Sequence, residues 1–253
     1  MEPVLPPVPP VPAAPADRRT LVEETVVVLL VSTLVAGAVN AIISLATAPV
    51  SGVAVAVGDQ SLRFYLQVID FALSLGPALL VLHLARRSDG GLASLGLDAG
   101  DRQRDLARAV VLFIVVAVVG IAIYLGAVAL HMNRFVVPVP PRGHWWTVPA
   151  LFLNAISAGL VEEIIVLGYL VTRLQQLRWP AIWAVLAPAL LRGTYHLYQG
   201  WGGFVGNLLM GLFFGALFLR WRRTWPFVVA HVLLDVGAGL GYLLFHNHLP
   251  GFG

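Results

Sequence analysis

The sequence predicts an all-α, polytopic membrane helix bundle with about seven transmembrane helices and a cytoplasmic N-terminus. Three observations lead to this fold class. Hydrophobic residues make up 58% of the 253 residues and charged residues only 11%, whereas a soluble domain carries about 25% charged residues. The apolar residues are gathered into long segments. Arginines and tryptophans fall between those segments or at their ends, as they do in membrane proteins.

The first element is a proline-rich tail. The first sixteen residues hold seven of the 17 prolines. Because such a stretch cannot form an α-helix, residues 1–20 are expected to be a disordered cytoplasmic tail. The remainder, residues 21–253, is expected to form one transmembrane helical domain.

Seven apolar segments follow the tail, each judged long enough to span a bilayer, which takes roughly 20 residues. The fifth carries Pro188, Arg192 and His196, and the sixth is short and rich in glycine. The segments lie near Leu21–Ala46, Phe64–Leu84, Leu106–His131, Val148–Tyr169, Pro180–Tyr198, Phe204–Leu219 and Pro226–Phe245.

Arginine placement predicts how the chain is oriented. All 16 basic residues are arginines. With the N-terminus inside, the outer loops hold only Arg63, Arg134 and Arg142, which agrees with the positive-inside rule. We therefore expect an integral multi-pass protein of the cell (plasma) membrane. A net charge of only +3 beside so much apolar sequence fits a partner such as the lipid bilayer and not nucleic acid.

Two features inside the predicted spans concern packing. Gln67, Asp70 and Ser74 follow i, i+3, i+7 spacing on the second segment, so we expect them to face the bundle interior. Gly211 and Gly215 of the sixth segment are typical of helices that approach each other closely.

A pair of adjacent carboxylates, Glu162 and Glu163, lies inside the fourth apolar segment. One carboxylate at the centre of a membrane helix costs roughly 2.5–3.5 kcal/mol on insertion scales. Two in a row are hard to explain by packing. Ionisable residues at this depth therefore indicate a functional site.

Two later segments carry further ionisable residues. Arg192 with His196, and His231 with Asp235, are each spaced i, i+4 and so share a helix face. Facing helices can bring such groups together in one site. A carboxylate tuned toward neutral pH suits a general base, and histidines can share a proton or stabilise an oxyanion. This combination of carboxylates and histidines favours a hydrolytic reaction. The chain has no cysteine and no G-x-S-x-G or H-E-x-x-H motif.

Three motifs in these segments resemble the CPBP family of intramembrane proteases, which includes the CAAX-processing endopeptidases and bacteriocin-related proteins. The family patterns are E-E-x-x-x-R, F-x-x-x-H and H-x-x-x-N or H-x-x-x-D. They correspond to Glu162–Leu167, Arg192–His196 and His231–Asp235, with the same order and spacing. The resemblance covers roughly residues 148 to 245, which is where the active site is expected.

The chain departs from the family pattern at two positions. Leu167 stands where the family has arginine, and Arg192 stands where it has phenylalanine. One arginine is thus lost and one gained within the same motifs, and a buried arginine needs a carboxylate partner. We predict that Arg192 supplies the missing positive charge to the glutamate pair from a neighbouring helix.

The resemblance implies a role for each site residue. Glu162 and His196 would activate the attacking water, and Glu163 would be structural or would tune Glu162. His231 and Asp235 would stabilise the oxyanion, with Asp235 orienting His231 or acting in its protonated form. A metalloendopeptidase is the other mechanism for the family. In that case Glu162, His196 and His231 would hold a possible Zn²⁺, and no other cofactor is implied.

The expected function is a CPBP- or CAAX-type intramembrane endopeptidase that hydrolyses peptide bonds of membrane-associated peptides or proteins. Two alternatives stay open. One is a catalytically inactive CPBP-like membrane protein with an immunity or scaffolding role, for which Leu167 is the best support. The other is a proton-coupled transporter with the glutamate pair as a relay, although no internal repeat is visible.

Overall fold

The computed structural model of the chain describes residues 17–50, 54–56, 64–88, 90–137 and 144–245. The described residues are 83% helical, which confirms the predicted all-α, polytopic helical bundle. Most of the predicted tail lies outside the described residues. The first helix begins at Arg18, inside the last part of the range predicted as tail.

The described part of the chain forms ten α-helices and two short strands. The helices are α1 Arg18–Val31, α2 Leu34–Thr47, α3 Phe64–Ser74, α4 Gly76–Arg87, α5 Arg102–Ala129, α6 Thr147–Glu162, α7 Thr172–Gln176, α8 Ala181–Tyr195, α9 Trp201–Trp221 and α10 Trp225–Phe245; the strands are β1 Ala54–Ala56 and β2 Phe135–Val137. The strands pair in parallel, with Ala54 opposite Phe135.

The helix that carries the glutamate pair changes its winding between the two glutamates. Glu162 ends α6, and a nine-residue π-helical stretch, Glu163–Val171, continues into α7. Together they make one continuous helix, Thr147–Gln176. Because i→i+5 winding is rare and is frequently found at functional sites, its start at Glu163 marks this position.

Five helices of the described chain are long and apolar enough to cross a membrane, or six if the bent pair α1 and α2 counts as one span. The predicted fifth span corresponds to α8, which has 15 residues. At 1.5 Å per residue, α8 covers about 22 Å, less than a hydrocarbon core of roughly 30 Å. The predicted count of seven spans is therefore not confirmed.

Glycines let the helices around the glutamate pair approach closely. A Cβ atom at Gly211 would lie 3.0 Å from Cα of Ala189, and one at Gly215 would lie 2.6 Å from Cγ1 of Val185. Both contacts join α9 to α8 and confirm the close packing predicted for this segment. The packing fixes α8, the helix that carries Arg192.

The Arg134 side chain joins segments at the end of the bundle that is predicted to face outward. Arg134 is 1% exposed. Its guanidinium donates to the carbonyls of Ser44, Ala48 and Pro49 at the end of α2, and to the hydroxyl of Ser44. It also donates to the carbonyl of Tyr198, between α8 and α9. Cations favour helix C-termini, so this arginine ties α2 to the segment that follows α8.

Candidate active site

A cavity of about 870 Å³ lies between α1 to α4, α6 and α8. Its wall is mainly apolar, with a few polar side chains that include Ser74, Ser157 and Glu162. Two tyrosines, Tyr195 and Tyr198, also line it. Among the predicted site residues, which all belong to the described chain, Glu162 is the one that lies on this wall.

Glu162 is the accessible member of the glutamate pair. Its side chain is 15% exposed. Its Oε2 atom accepts a hydrogen bond of 2.6 Å from the hydroxyl of Tyr195. The Nη2 atom of Arg192 lies 3.5 Å from the same oxygen. A carboxylate held on one side and open to a cavity on the other has the setting that a general base needs.

Glu163 is completely buried and does not line the cavity. Its Oε1 atom accepts from Nη1 of Arg192 at 2.6 Å and from Nδ1 of His231 at 2.8 Å. Within the described part of the chain its Oε2 atom has no hydrogen-bond partner. Successive residues of an α-helix point about 100° apart, so neighbours in sequence can serve different sides of the helix.

Arg192 joins α8 to both glutamates, which confirms the predicted ion pair. Its side chain is 2% exposed and contacts the two carboxylates at 2.6 and 3.5 Å. Leu167, at the position of the family arginine, packs instead with Phe214, Phe227 and Ala230 in an apolar cluster. The positive charge therefore reaches the carboxylates from another helix.

His231 and Asp235 lie on α10. Of the two, His231 contacts Glu163 and Arg192 directly. Its Nδ1 atom lies 2.8 Å from Oε1 of Glu163. Its Nε2 atom lies 3.6 Å from Oδ2 of Asp235, which is longer than a hydrogen bond. Glu163 therefore makes the hydrogen bond that fixes the imidazole. Asp235 lies at the edge of the cluster with 40% of its side chain exposed.

His196 follows the last residue of α8. Its Nδ1 atom lies 3.0 Å from the carbonyl oxygen of Arg192. Since a carbonyl only accepts, Nδ1 carries the proton, and Nε2 of the neutral ring is the acceptor. No hydrogen bond joins His196 to Glu162 among the described residues.

Three of the predicted residues, Glu162, Glu163 and His231, thus converge around the guanidinium of a fourth, Arg192. Oε2 of Glu162 and Nδ1 of His231 both lie within 3.5 Å of Nη2 of Arg192. Glu162, Glu163, Arg192 and His231 form one cluster. His196 adjoins it through the backbone of α8, and Asp235 lies at its border.

The residues named for zinc do not fit a metal ion. No three histidine, aspartate or glutamate side chains of the described chain are arranged to hold one. The Arg192 guanidinium lies beside both Glu162 and His231, and Nδ1 of His231 is bonded to Glu163. A second cation between these ligands would be repelled. The metalloendopeptidase alternative therefore gains no support.

Tyr195 is the site residue that the sequence reasoning missed. It lies on the cavity wall and bonds Glu162. The available signal was its position three residues after Arg192, on nearly the same face of the same helix. Ser157 was also missed, and its hydroxyl lies 2.5 Å from that of Ser74 in the cavity wall.

The polar face predicted for α3 is correct for two of its three residues. Gln67 is buried and Ser74 lines the cavity, whereas Asp70 is exposed. Three residues advance an α-helix by about 300°, so Asp70 is offset by about 60° from Gln67. That offset is enough to turn its side chain away from the bundle.

The part of the chain that contains this cluster matches a known family. Residues 144–237 match a family model described as Type II CAAX prenyl endopeptidase Rce1-like. No curated protein and no solved structure matches the chain. The matched residues include every predicted site residue, from Glu162 to Asp235. The match, together with the apolar helices, indicates an integral membrane protein and supports a CAAX-type intramembrane protease at the level of the family. Residues 144–237 thus carry the Rce1-like sequence signature, which confirms the resemblance that the three motifs predicted.

Proposed function

We propose that this protein is an endopeptidase of the plasma membrane that hydrolyses peptide bonds in membrane-associated peptides or proteins, using water activated by Glu162. One observation carries the proposal. A glutamate in a segment similar to the CAAX endopeptidases lies on the wall of an 870 Å³ cavity, held by Tyr195 and next to Arg192.

The proposed first step forms a tetrahedral intermediate. Glu162 takes a proton from a water molecule in the cavity while the water oxygen bonds to the carbonyl carbon of the substrate. The electron pair of the carbonyl π bond moves to its oxygen. His196, whose Nε2 atom is the acceptor in the neutral ring, can share the proton of the water.

The second step releases the amine. The C–N bond breaks as the oxyanion restores the carbonyl group, and Glu162 returns its proton to the leaving nitrogen. Arg192 supplies positive charge next to Glu162 throughout. Donors aimed at developing charge in a water-poor site are usually the largest contribution to such reactions.

Glu163 supports this chemistry without acting as the base. It is completely buried, and its Oε1 atom already accepts two hydrogen bonds. It holds the Arg192 guanidinium and fixes the orientation of His231. With Nδ1 directed at Glu163, His231 has Nε2 left to donate to the oxyanion in its imidazolium form, and Asp235 lies near that nitrogen.

The inactive alternative rested on Leu167. Arg192 now brings a guanidinium to both carboxylates from α8, so the loss of arginine at position 167 no longer leaves the pair without a cation. The transporter alternative becomes an outcome of the experiment below.

The test is cleavage of a library of membrane peptides by the full chain in liposomes. Glu162→Gln should lower kcat by about 10²–10⁴-fold, the usual contribution of a general base. Asp70→Asn is the matched control, since this exposed carboxylate lies outside the cluster, and should retain full activity. Full activity of Glu162→Gln would refute the assignment. Proton-dependent solute uptake without any cleavage would favour a transporter.

A further inference from the structure

Tyr195 is the last residue of α8 and lies beside Glu162 on the cavity wall. Its side chain lines the cavity and is 8% exposed overall. Its hydroxyl donates a 2.6 Å hydrogen bond to Oε2 of Glu162. A short O–H···O bond to a carboxylate is charge-assisted and about twice as strong as a neutral one. This contact is therefore strong enough to fix the orientation of the carboxylate.

The two oxygens of Glu162 have different neighbours. Oε2 accepts from Tyr195 and lies 3.5 Å from Nη2 of Arg192. Oε1 has neither of these contacts among the described residues. A general base needs a lone pair that is not already directed at a donor. The arrangement therefore makes Oε1 the oxygen that can receive a proton from water.

We propose that Tyr195 is the positioning residue for the base: its hydroxyl holds Oε2 of Glu162, so that Oε1 faces the attacking water. The proposal rests on the proposed function. Tyr195 transfers no proton in either step. When Oε1 takes the proton from water, Oε2 becomes the carbonyl oxygen of a neutral carboxyl group. It still accepts from Tyr195, and the same Oε1–H is then returned to the leaving nitrogen.

A positioning role and a packing role for Tyr195 lead to different kinetic effects when the residue is replaced. A tyrosine that only fills space would affect stability or substrate binding. A tyrosine that stabilises the ionised form of the base affects kcat and its dependence on pH. Removing the donor leaves the ionised carboxylate less stable, so more alkaline conditions are needed to ionise it.

The experiment compares Tyr195→Phe with Tyr169→Phe in the full chain in liposomes, on one membrane peptide that the wild type cleaves. Tyr169 is the matched control because it is also buried but does not line this cavity, and the centre of its ring lies 5.0 Å from the guanidinium carbon of Arg173. Tyr195→Phe should lower kcat about ten- to hundredfold, as expected for losing a hydrogen bond to a charged group. KM should change less than about twofold, and the acidic limb of the pH profile should move to higher pH. Tyr169→Phe should leave all three unchanged.

A second substitution keeps the test decisive if Tyr195→Phe fails to fold. Replacing Tyr195 with 3-fluorotyrosine keeps the ring and the hydroxyl but makes the hydroxyl a stronger donor. The acidic limb should then move to lower pH. An unchanged limb in both variants, or a change in KM alone, would overturn the proposal.

Failure of the proposed function would look different. Full cleavage by Glu162→Gln would remove Glu162 as the base, and the positioning role would fall with it. Loss of cleavage in Glu162→Gln together with wild-type kinetics and pH profile in Tyr195→Phe would refute only the positioning role. In the double variant Glu162→Gln/Tyr195→Phe, the second change should cause no further loss, because the residue that Tyr195 positions is absent.

Discussion

At the scale of residues, the ion pair formed by Arg192 and Glu163 is almost completely removed from solvent. Their side chains are 2% and 0% exposed, and their atoms approach to 2.6 Å. Taking two charges out of water can cost as much as their attraction returns. The pair is therefore explained better by the positions it fixes, for Glu162 and His231, than by a gain in stability.

Removing one partner should be far more harmful than removing both. Arg192→Leu should lower the free energy of unfolding by about 3–5 kcal/mol, because it leaves a buried carboxylate uncompensated. Adding Glu163→Leu should restore a large part of this loss. Denaturant unfolding in micelles measures both effects.

The exposed ion pair of α1 provides the control for these two variants. Arg19 and Glu23 approach to 2.7 Å, but their side chains are 84% and 61% exposed. Arg19→Leu should therefore change stability very little, because solvent screens exposed pairs. Equal losses in Arg192→Leu and Arg19→Leu would contradict the buried-charge account.

At the scale of elements, the approach of α6 to α10 brings Glu163 to His231. Gly159 permits it, since a Cβ atom there would lie 2.7 Å from Cγ2 of Val232 and 3.1 Å from the carbonyl oxygen of Val228. The carbonyl oxygen of Val228 belongs to the backbone of α10, so it cannot rotate away as a side chain could. The distance between the two helices therefore depends on the absence of a side chain at Gly159.

Gly159→Ala should push the two helices apart. We expect a loss of stability of about 1–3 kcal/mol, the usual effect of overpacking, and a fall in cleavage because His231 moves away from Glu163. Gly120→Ala on α5 is the control: a Cβ there meets no atom within 4 Å. It should be neutral or stabilising by up to about 1 kcal/mol, because alanine favours helix. Thermal unfolding separates the two, and similar melting of both variants would refute the packing role.

At the scale of the whole molecule, the orientation in the membrane remains a prediction from the arginines. The chain lacks cysteine, so a single introduced cysteine reports on one position without background. Gln103 lies in the first turn of α5, Met132 follows its end by three residues, and both are exposed. They therefore lie on opposite sides of the membrane if α5 spans it.

The positive-inside rule predicts which side each reporter faces. In intact cells, a membrane-impermeant maleimide should label Met132→Cys. Gln103→Cys should react only after the membrane is made permeable. The opposite pattern would reverse the orientation, and labelling of both from outside would mean that α5 does not span.

The helical class and the residues of the cluster could be predicted from the sequence because both depend on strong, local signals. Charges are costly in apolar helices, so Glu162, Arg192 and His231 stand out. The i, i+4 spacing then places their partners on the same face. The prediction that Arg192 pairs with the glutamates needed only one comparison. The first motif lacks the family's arginine at Leu167, and the second motif has an additional arginine at Arg192.

Other features could not be predicted from the sequence, for physical reasons. The residues from Ile164 to Val171 are nearly all apolar, so the spacing of polar residues cannot show whether this stretch has π or α winding. α8 ends at Tyr195, and the chain turns at Gly200, whose φ of 93° suits glycine. Neither the end of the helix nor the turn interrupts the apolar pattern that predicted a longer span. The bond from Tyr195 to Glu162 depends on how two helices meet, which spacing within one helix cannot give.

The π-helical stretch has a consequence for how the chain tolerates changes in length. Its ladder joins residues five apart, so losing one residue would let the same stretch return to ordinary i→i+4 winding without breaking the helix. The tighter winding would make up most of the turn that is lost with that residue. Glu162, before the stretch, and Arg173, after it, would therefore keep nearly the same orientation relative to each other, and Arg173 would keep its hydrogen bond to Glu24. A one-residue deletion in the ordinary α-helix before Glu162 lacks this compensation and would turn the residues on its two sides by about 100° relative to each other. The chain should therefore tolerate the loss of one residue within the π-helical stretch better than the same loss in α6.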